Sequence, residues 1–379
     1  MHKWMATLGL VSTTGTWGSY ELTPIDAGGS FDKPPVVSWK VALPVPPLAS
    51  ATHTEQGGPL LHDNHIYVGA AGTDALLVLD RRDGRLIRKL PASAPVQATP
   101  VIEAERIYFT DVSGNVWCYA IDGGAPIWEH FSSAPILSSP SIDDDTLYVA
   151  NVNDQVLALN RHTGELKWRY AHPSDPGRLA ELELYGAPPP MPAGDTVLSG
   201  FSDGALLALS ADSGDPVWSR RVGEGAYPDL IAPPAVREDD ILVSGYSEPL
   251  VSMDRETQAI RWRRDVGGPH PVVEADGRLL HSGGDGVLRA LDAQTGDELW
   301  EWDSDTDSAL TRPIATEAGL LVGAAAGSVY LIDPKSGEQI WTHDPGYFLA
   351  GVTAVPHVAG RQAVVLTNAG NLISFIAPR

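Results

Sequence analysis

Cysteine is nearly absent: Cys118, in the segment NVWCYA, is the one thiol in 379 residues. A single thiol excludes an intrachain disulfide and a zinc site built on cysteine pairs. It leaves the redox compartment open, because a cysteine-poor chain suits either environment. Basic charge is scarce as well. With 26 Lys and Arg against 48 Asp and Glu, the formal net charge is −22. Nucleic acid is therefore excluded as a partner class, since phosphate binding needs a concentrated basic face. Repulsion from anionic lipid follows from the same imbalance. Long apolar runs are missing too. No segment after the first residues approaches the roughly 20 apolar residues that span a bilayer. Nor does any segment keep a 3.6-residue hydrophobic period, so helices are minor at most. A Gly-x-Ser-x-Gly elbow, a phosphate loop and a His-Glu-x-x-His zinc motif are also lacking. Nothing in the sequence commits it to catalysis.

What is abundant points elsewhere. The chain has 38 glycines, 31 prolines and 11 tryptophans at 43% hydrophobic content, a mixture that suits many short strands joined by tight turns. Aligned on a turn and a final aromatic, seven segments repeat: LDRRDGRLIR, AIDGGAPIW, LNRHTGELKW, LSADSGDPVW, MDRETQAIRW, LDAQTGDELW and IDPKSGEQIW. They end at Arg88, Trp128, Trp168, Trp218, Trp262, Trp300 and Trp341, and Trp39 in VVSWKVAL supplies the aromatic without the turn. The intervals from Trp39 onward are 49, 40, 40, 50, 44, 38 and 41 residues. A period of about 40 to 45 with strand patterning is that of a propeller blade.

Each unit reads as four strands. In the unit ending at Trp128 they fall near Pro100 to Glu103, Ile107 to Thr110, Val116 to Ile121 and Ile127 to Phe131, separated by Gly, Asp and Asn turns. After Trp341 only three strands remain, and the orphan at Val36 to Leu43 is the missing fourth. The expectation is an all-β, eight-bladed propeller of four-stranded antiparallel blades, closed by the N-terminal strand. Residues 36–379 form one domain and 1–35 a flexible tail or the remnant of an export signal, with Lys3 before a short apolar run from Met5 to Val11. Glycines such as Gly164, Gly214, Gly296 and Gly337 are expected to take positive φ in the turn between third and fourth strands. The tryptophans Trp39, Trp128, Trp168, Trp218, Trp262, Trp300 and Trp341 are expected to pack between neighbouring blades and donate the indole N–H across the contact. Arg88 marks a differently packed first blade.

This motif resembles the tryptophan-docking repeat of propellers related to the pyrroloquinoline quinone (PQQ) dehydrogenases. Two branches are similar to the chain. The quinoprotein dehydrogenases share the docking motif but carry a vicinal cysteine pair, a calcium ligand set and a catalytic aspartate in a longer chain, and Cys118 alone cannot build that site. The BamB branch resembles this chain over the whole propeller. In that family a loop after the fourth docking position carries Leu-x-Leu-Arg-Gly-x-x-x-Pro and docks the POTRA domains of BamA. Here the stretch reads Leu182-Glu183-Leu184-Tyr185-Gly186 with Pro188 to Pro190 beyond it, so Leu182, Leu184 and Gly186 carry over while Tyr185 stands at the arginine. One blade later the family has Asp-x-Asp. Asp229 matches the first aspartate and Ile231 replaces the second. The resemblance implies a monomeric, non-enzymatic scaffold without cofactor or metal. It also implies docking of a BamA-like POTRA partner in β-barrel assembly, and a place in the periplasm at the outer membrane. No lipidation cysteine follows the first apolar run, so a cytoplasmic place stays open. A quinone-dependent or other small-ligand enzyme using the central channel, and a generic propeller of unknown partner, are the alternative readings.

The residues themselves support the loop as a contact surface. The 50-residue interval is about ten longer than a blade needs, and long connections in compact folds carry function or lack order. Leu182 and Leu184 alternate with Glu181 and Glu183, giving an extended segment one apolar face beside Tyr185. Packing of those leucines back onto the propeller is the structural alternative. Four acidic or histidine clusters read as turns. Asp303, Asp305 and Asp307 begin like a calcium loop, but Ser308 and Ile314 stand where an EF-hand needs Gly and Glu. The runs Asp143 to Asp145 and Glu238 to Asp240, and the pair His62 and His65, fall in first-hairpin turns.

Overall fold

The structure, a computed structural model, describes residues 32–45, 57–173, 187–223, 228–245, 249–275, 277–346 and 351–378. Strands β1 to β32, numbered in chain order, form eight separate four-stranded sheets. Blades 1 to 7 span residues 60–91, 101–131, 141–171, 191–221, 235–264, 273–303 and 314–343, each an antiparallel meander in chain order. Blade 8 is composite. Strands β30 (His357–Ala359), β31 (Gln362–Leu366) and β32 (Asn371–Ile376) are completed by β1 (Val36–Ala42), which runs antiparallel to β32 from Val36 opposite Ile376 to Ala42 opposite Asn371. This pairing closes the ring with the opposite end of the chain and leaves no gap between blades 8 and 1. Residues 1–31 of the expected tail lie outside the described residues.

Middle strands are apolar on both faces because each blade lies between two others. In blade 1 the run Ala75–Asp80 is buried at all six positions, and in blade 3 so is Thr146–Asn151. The fourth strands face water and read differently, as in Pro216–Arg221, where only Trp218 is partly covered. The core is accordingly a ring of eight clusters, one per seam. Between blades 2 and 3, for example, Val101, Tyr108 and Val116 meet Leu147, Val149 and Leu157. Cys118 sits in that same seam, and burial pushes its thiol up to about 11, so it stays protonated and inert.

A second repeat governs the axis. Pro59, Pro100, Pro140, Pro190, Pro234, Pro313 and Pro356 each stand immediately before the first strand of a blade, and Pro271 stands one residue earlier. The first strand of each blade is its inner edge, where an unpaired backbone invites further pairing. Proline lacks the N–H and stops the ladder there. The inner strands are short for this reason, two or three residues each. No helix among the described residues is long and apolar enough to cross a membrane.

Candidate protein-interaction face

The two faces of the ring are built differently. On one lie the turns between third and fourth strands, where the tryptophans dock. Gly164 of blade 3 has φ +75°, and a Cβ there would stand 2.7 Å from the Trp128 ring of blade 2. The same close approach joins Gly214 to Trp168, Gly296 to Trp262, Gly337 to Trp300 and Gly84 to Trp39. At these five turns glycine meets both demands, a left-handed backbone and an indole laid flat on the peptide. The indole N–H of Trp128 donates to the carbonyl of Arg161 at 3.0 Å, that of Trp168 to Ala211 at 2.8 Å and that of Trp300 to Pro334 at 3.2 Å. At Trp39 and Trp262 the corresponding carbonyls, of Arg81 and Ala293, accept instead from Gln362 and Arg237. Those two indole nitrogens are buried without a hydrogen bond. Facing Trp218, the glycine position is held by Gln258 at φ 56°, whose side chain donates to the Arg255 carbonyl at 3.0 Å. Trp341 meets no such turn, because blade 8 is split there, and packs edge-on against Phe375 at 5.5 Å. In blade 1, Arg88 takes the tryptophan's place: its guanidinium donates to the Ile121 carbonyl at 2.5 Å, and its Cδ would lie 3.2 Å from a Cβ on Gly123.

The opposite face holds the connections from each fourth strand to the next blade. Of the sequence-derived contact residues, Leu182, Leu184, Tyr185 and Gly186 lie outside the described residues. The ends of their connection are fixed. On the blade 3 side the His172 ring stacks on Phe201 of blade 4 at 4.3 Å, and its Nε2 lies 3.2 Å from the Asp203 carboxylate. Ser202 Oγ donates to Asp154 at 2.5 Å, tying the same two blades. On the other side, Ser141 Oγ donates to the Pro190 carbonyl at 2.5 Å. The next connection holds Asp229 and Ile231, which differ in exposure. Asp229 is buried at 6% exposure beside Leu230, whose N–H reaches the Phe201 carbonyl at 3.3 Å and whose Cβ would touch a Cβ on Gly200. Ile231 is half-buried and turned to the axis.

At the axis these connections surround a cavity of about 430 Å³. Ala187, Pro188 and Pro189, just past the long connection, form part of its wall, as does Ile231. Connections into blades 6 and 7 contribute His270, Asp307 and Arg312. Burial and the nearby Arg312 charge bring the His270 pKa down to about 3, so its imidazole is neutral at physiological pH. His357, on the inner strand of blade 8, is brought down to about 4 by burial and by Arg312 and Arg81. Asp303 ends the fourth strand of blade 6 and Asp305 follows in the connection beyond it, both exposed, with Asp305 at φ 58°. His62 and His65 flank a two-residue hairpin turn and pair with each other across it. The sequence signal for the cavity was the proline repeat, because the residues before those prolines, among them Ala98-Thr99, Ser138-Ser139 and Thr311-Arg312, line the axis.

Fold and site together define an eight-bladed propeller of the tryptophan-docking class with an elaborated loop face. The family model of the outer membrane protein assembly factor BamB matches residues 36–130, 104–284 and 284–377, and the chain belongs to that family. BamB of Burkholderia pseudomallei is 24% identical over 365 residues, 90% of each chain. BamB of Legionella pneumophila is 27% identical over 198 residues, so that match spans about half of either protein, 50% of this chain and 51% of the relative. Among solved structures, BamB from Moraxella catarrhalis superposes with a TM-score of 0.74 at 19% identity, covering 90% of this chain and all of that one, 100%. The quinohemoprotein alcohol dehydrogenase of Comamonas testosteroni shares the fold, with a TM-score of 0.72 at 15% identity over 93% of this chain and 77% of that chain.

Proposed function

We propose that this chain is a non-enzymatic scaffold in the assembly of outer-membrane β-barrel proteins, working as a monomeric propeller domain of residues 36–379. It docks a BamA-like POTRA domain through the connection that carries Leu182, Leu184, Tyr185 and Gly186, with Ile231 beside it. The observation that carries this reading is the BamB family match, which runs through every blade from residue 36 to residue 377. The loop face adds physical support. Both connections start and end on anchored residues, and a surface held at its base loses little entropy on docking. Asp229 acts from beneath, as a buried support of Ile231 rather than as a group offered to the partner. The protein works in the periplasm, associated with the outer membrane. The lone Cys118, packed between blades 2 and 3, argues against the quinone-enzyme alternative, whose cysteine pair stands at the cofactor. Capture of the POTRA domains by the purified chain tests the proposal. Leu184→Glu is expected to abolish capture with an unchanged thermal midpoint. Retained capture by that variant, or none by the wild type, overturns it. PQQ and calcium added together are expected to leave the absorbance of the protein fraction unchanged.

A further inference from the structure

The axial cavity has two unlike walls. One, from the connections into blades 4 to 6, presents Pro188, Pro189, Ile231, Pro233, Pro269 and Pro271. Prolines carry no N–H, so this crescent offers ring carbon, an aliphatic side chain and carbonyl oxygen, and no backbone donor at the proline positions. Next to it round the ring, blades 7 and 8 present Ser308, Thr311, Arg312, Thr353 and Asn368. Their hydroxyl and carboxamide groups both donate and accept, and the guanidinium donates. Asn368 commits part of its carboxamide to backbone, accepting from the Thr353 N–H at 3.2 Å and donating to the Ala325 carbonyl at 3.0 Å, which leaves one N–H and one lone pair for a ligand.

We propose that this cavity binds an extended, uncharged peptide segment bearing one large apolar side chain. The side chain would lie on the proline crescent and the peptide amides along the polar one. Charge decides against other ligand classes. The lining holds one guanidinium, Arg312, and one carboxylate, Asp307, in a chain of net charge −22, so a ligand with several negative charges meets no surplus of cations. His270 adds none, being neutral at physiological pH. Size agrees. A volume of about 430 Å³ lies at the small end of the roughly 300–1,000 Å³ typical of ligand sites, enough for an aromatic side chain and its flanking peptide units. Position agrees as well. Pro188 directly follows the long connection and Ile231 lies two residues past Asp229, so a segment of a protein seated on this face reaches the mouth without crossing the blades.

The test is calorimetric titration of the purified full chain with the capped pentapeptide Ac-Ala-Ala-Phe-Ala-Ala-NH2, the same peptide with Ala for Phe, and glutarate as a dianion. Saturable binding of the Phe peptide is expected, weakened roughly 10- to 100-fold by Ala for Phe, the range that burial of one large apolar side chain provides. Ala309→Trp and Ala325→Trp each fill the cavity from blade 7, away from the docking connections, and both positions are half-exposed. Each is expected to weaken the peptide at least about tenfold at an unchanged thermal midpoint. If one fails to fold, the other decides. No saturation by the Phe peptide, tighter binding of glutarate, or wild-type affinity in the folded filling variants overturns the proposal. POTRA capture is a separate readout: loss of capture in Leu184→Glu leaves the peptide titration unchanged, so the two readings fail independently.

Discussion

The two faces of the propeller solve one problem in opposite ways. On the docking face, one device recurs from blade to blade: a side-chain oxygen opens the turn, a glycine takes positive φ, and an indole covers it. Asp292 accepts from the N–H groups of Gln294 and Thr295 at 2.9 and 2.8 Å, and Asp254, Asp333 and Asn160 do the same work in their blades. On the loop face, the turns between second and third strands are held by several kinds of group, with blades 4 and 6 sharing one, an aspartate before the turn glycine. Asp111 in blade 2 is fully buried and accepts from Ser113, Asn115, Ser93 and the Trp117 indole, the last at 2.9 Å. Asn151 serves in blade 3 and Thr367 in blade 8. A repeated device keeps blades interchangeable. Individual solutions let each loop vary, and variation is what a recognition surface requires.

Removing one element from each face sharpens the contrast. Trp128→Ala is expected to destabilise by about 3–5 kcal/mol, because a side chain buried to 8% exposure leaves a cavity between two rigid blades. Urea unfolding measures it, and a loss below about 1 kcal/mol would mean that the seam collapses to fill the space. Asp111→Ala follows at about 2–4 kcal/mol, since the buried Trp117 indole and several backbone donors lose their acceptor together. Hydrogen exchange distinguishes the two: the first variant opens the seam between blades 2 and 3, whereas the second exposes amides of the Asp111 to Asn115 turn.

The docking face was legible in the sequence because its chemistry is local. Thr295, Gly296 and Trp300 lie within one turn and one strand, so spacing alone returned the blade count and the closing strand. The cavity was not, because Ile231, His270 and Arg312 are far apart in the chain and meet only after eight blades close. The proline before each inner strand was visible but has no chemistry of its own, and only the ring shows that it marks the axis. Asp229 shows a further limit. Its match to a family position put it on a docking surface, yet it is buried at 6% exposure, which no motif records.

A smaller effect, confined to the loop face, is a pH dependence. His281 of blade 6 is fully buried near Gly268 and Ser244, with its Nε2 3.5 Å from Ser244 Oγ. Burial, with the Arg289 charge, brings its pKa down from 6.5 to about 4, against a weaker opposing effect of Asp285. The unfolded chain therefore binds this proton first as pH falls. Stability from this group is intact above about 6.5, declines toward about 4 and is level below, up to about 3 kcal/mol in all. Thermal midpoints across that window should fall less steeply in His281→Gln than in the wild type. Equal slopes would remove His281 from the account.

The smallest expected effect probes the exception on the docking face. Arg88 reproduces two of the three features of a docked tryptophan, the bond to a turn carbonyl and the contact with a glycine, using a flexible stem in place of a ring. Arg88→Ala should cost about 1–2 kcal/mol, less than Trp128→Ala, because a neutral carbonyl gives up one charged donor and the stem covers less apolar area than an indole. Arg88→Lys keeps the stem and a charge but loses the planar fork, so a loss equal to that of Arg88→Ala would assign the seam to the hydrogen bond, and no loss would assign it to the stem. The Tyr67 hydroxyl, which interacts with Arg88 from within blade 1, gives an independent reading. Burial raises its pKa and Arg88 opposes the rise, so removing Arg88 should move the ultraviolet titration of Tyr67 still higher. A seam whose arginine acts only through packing would leave that titration where it is.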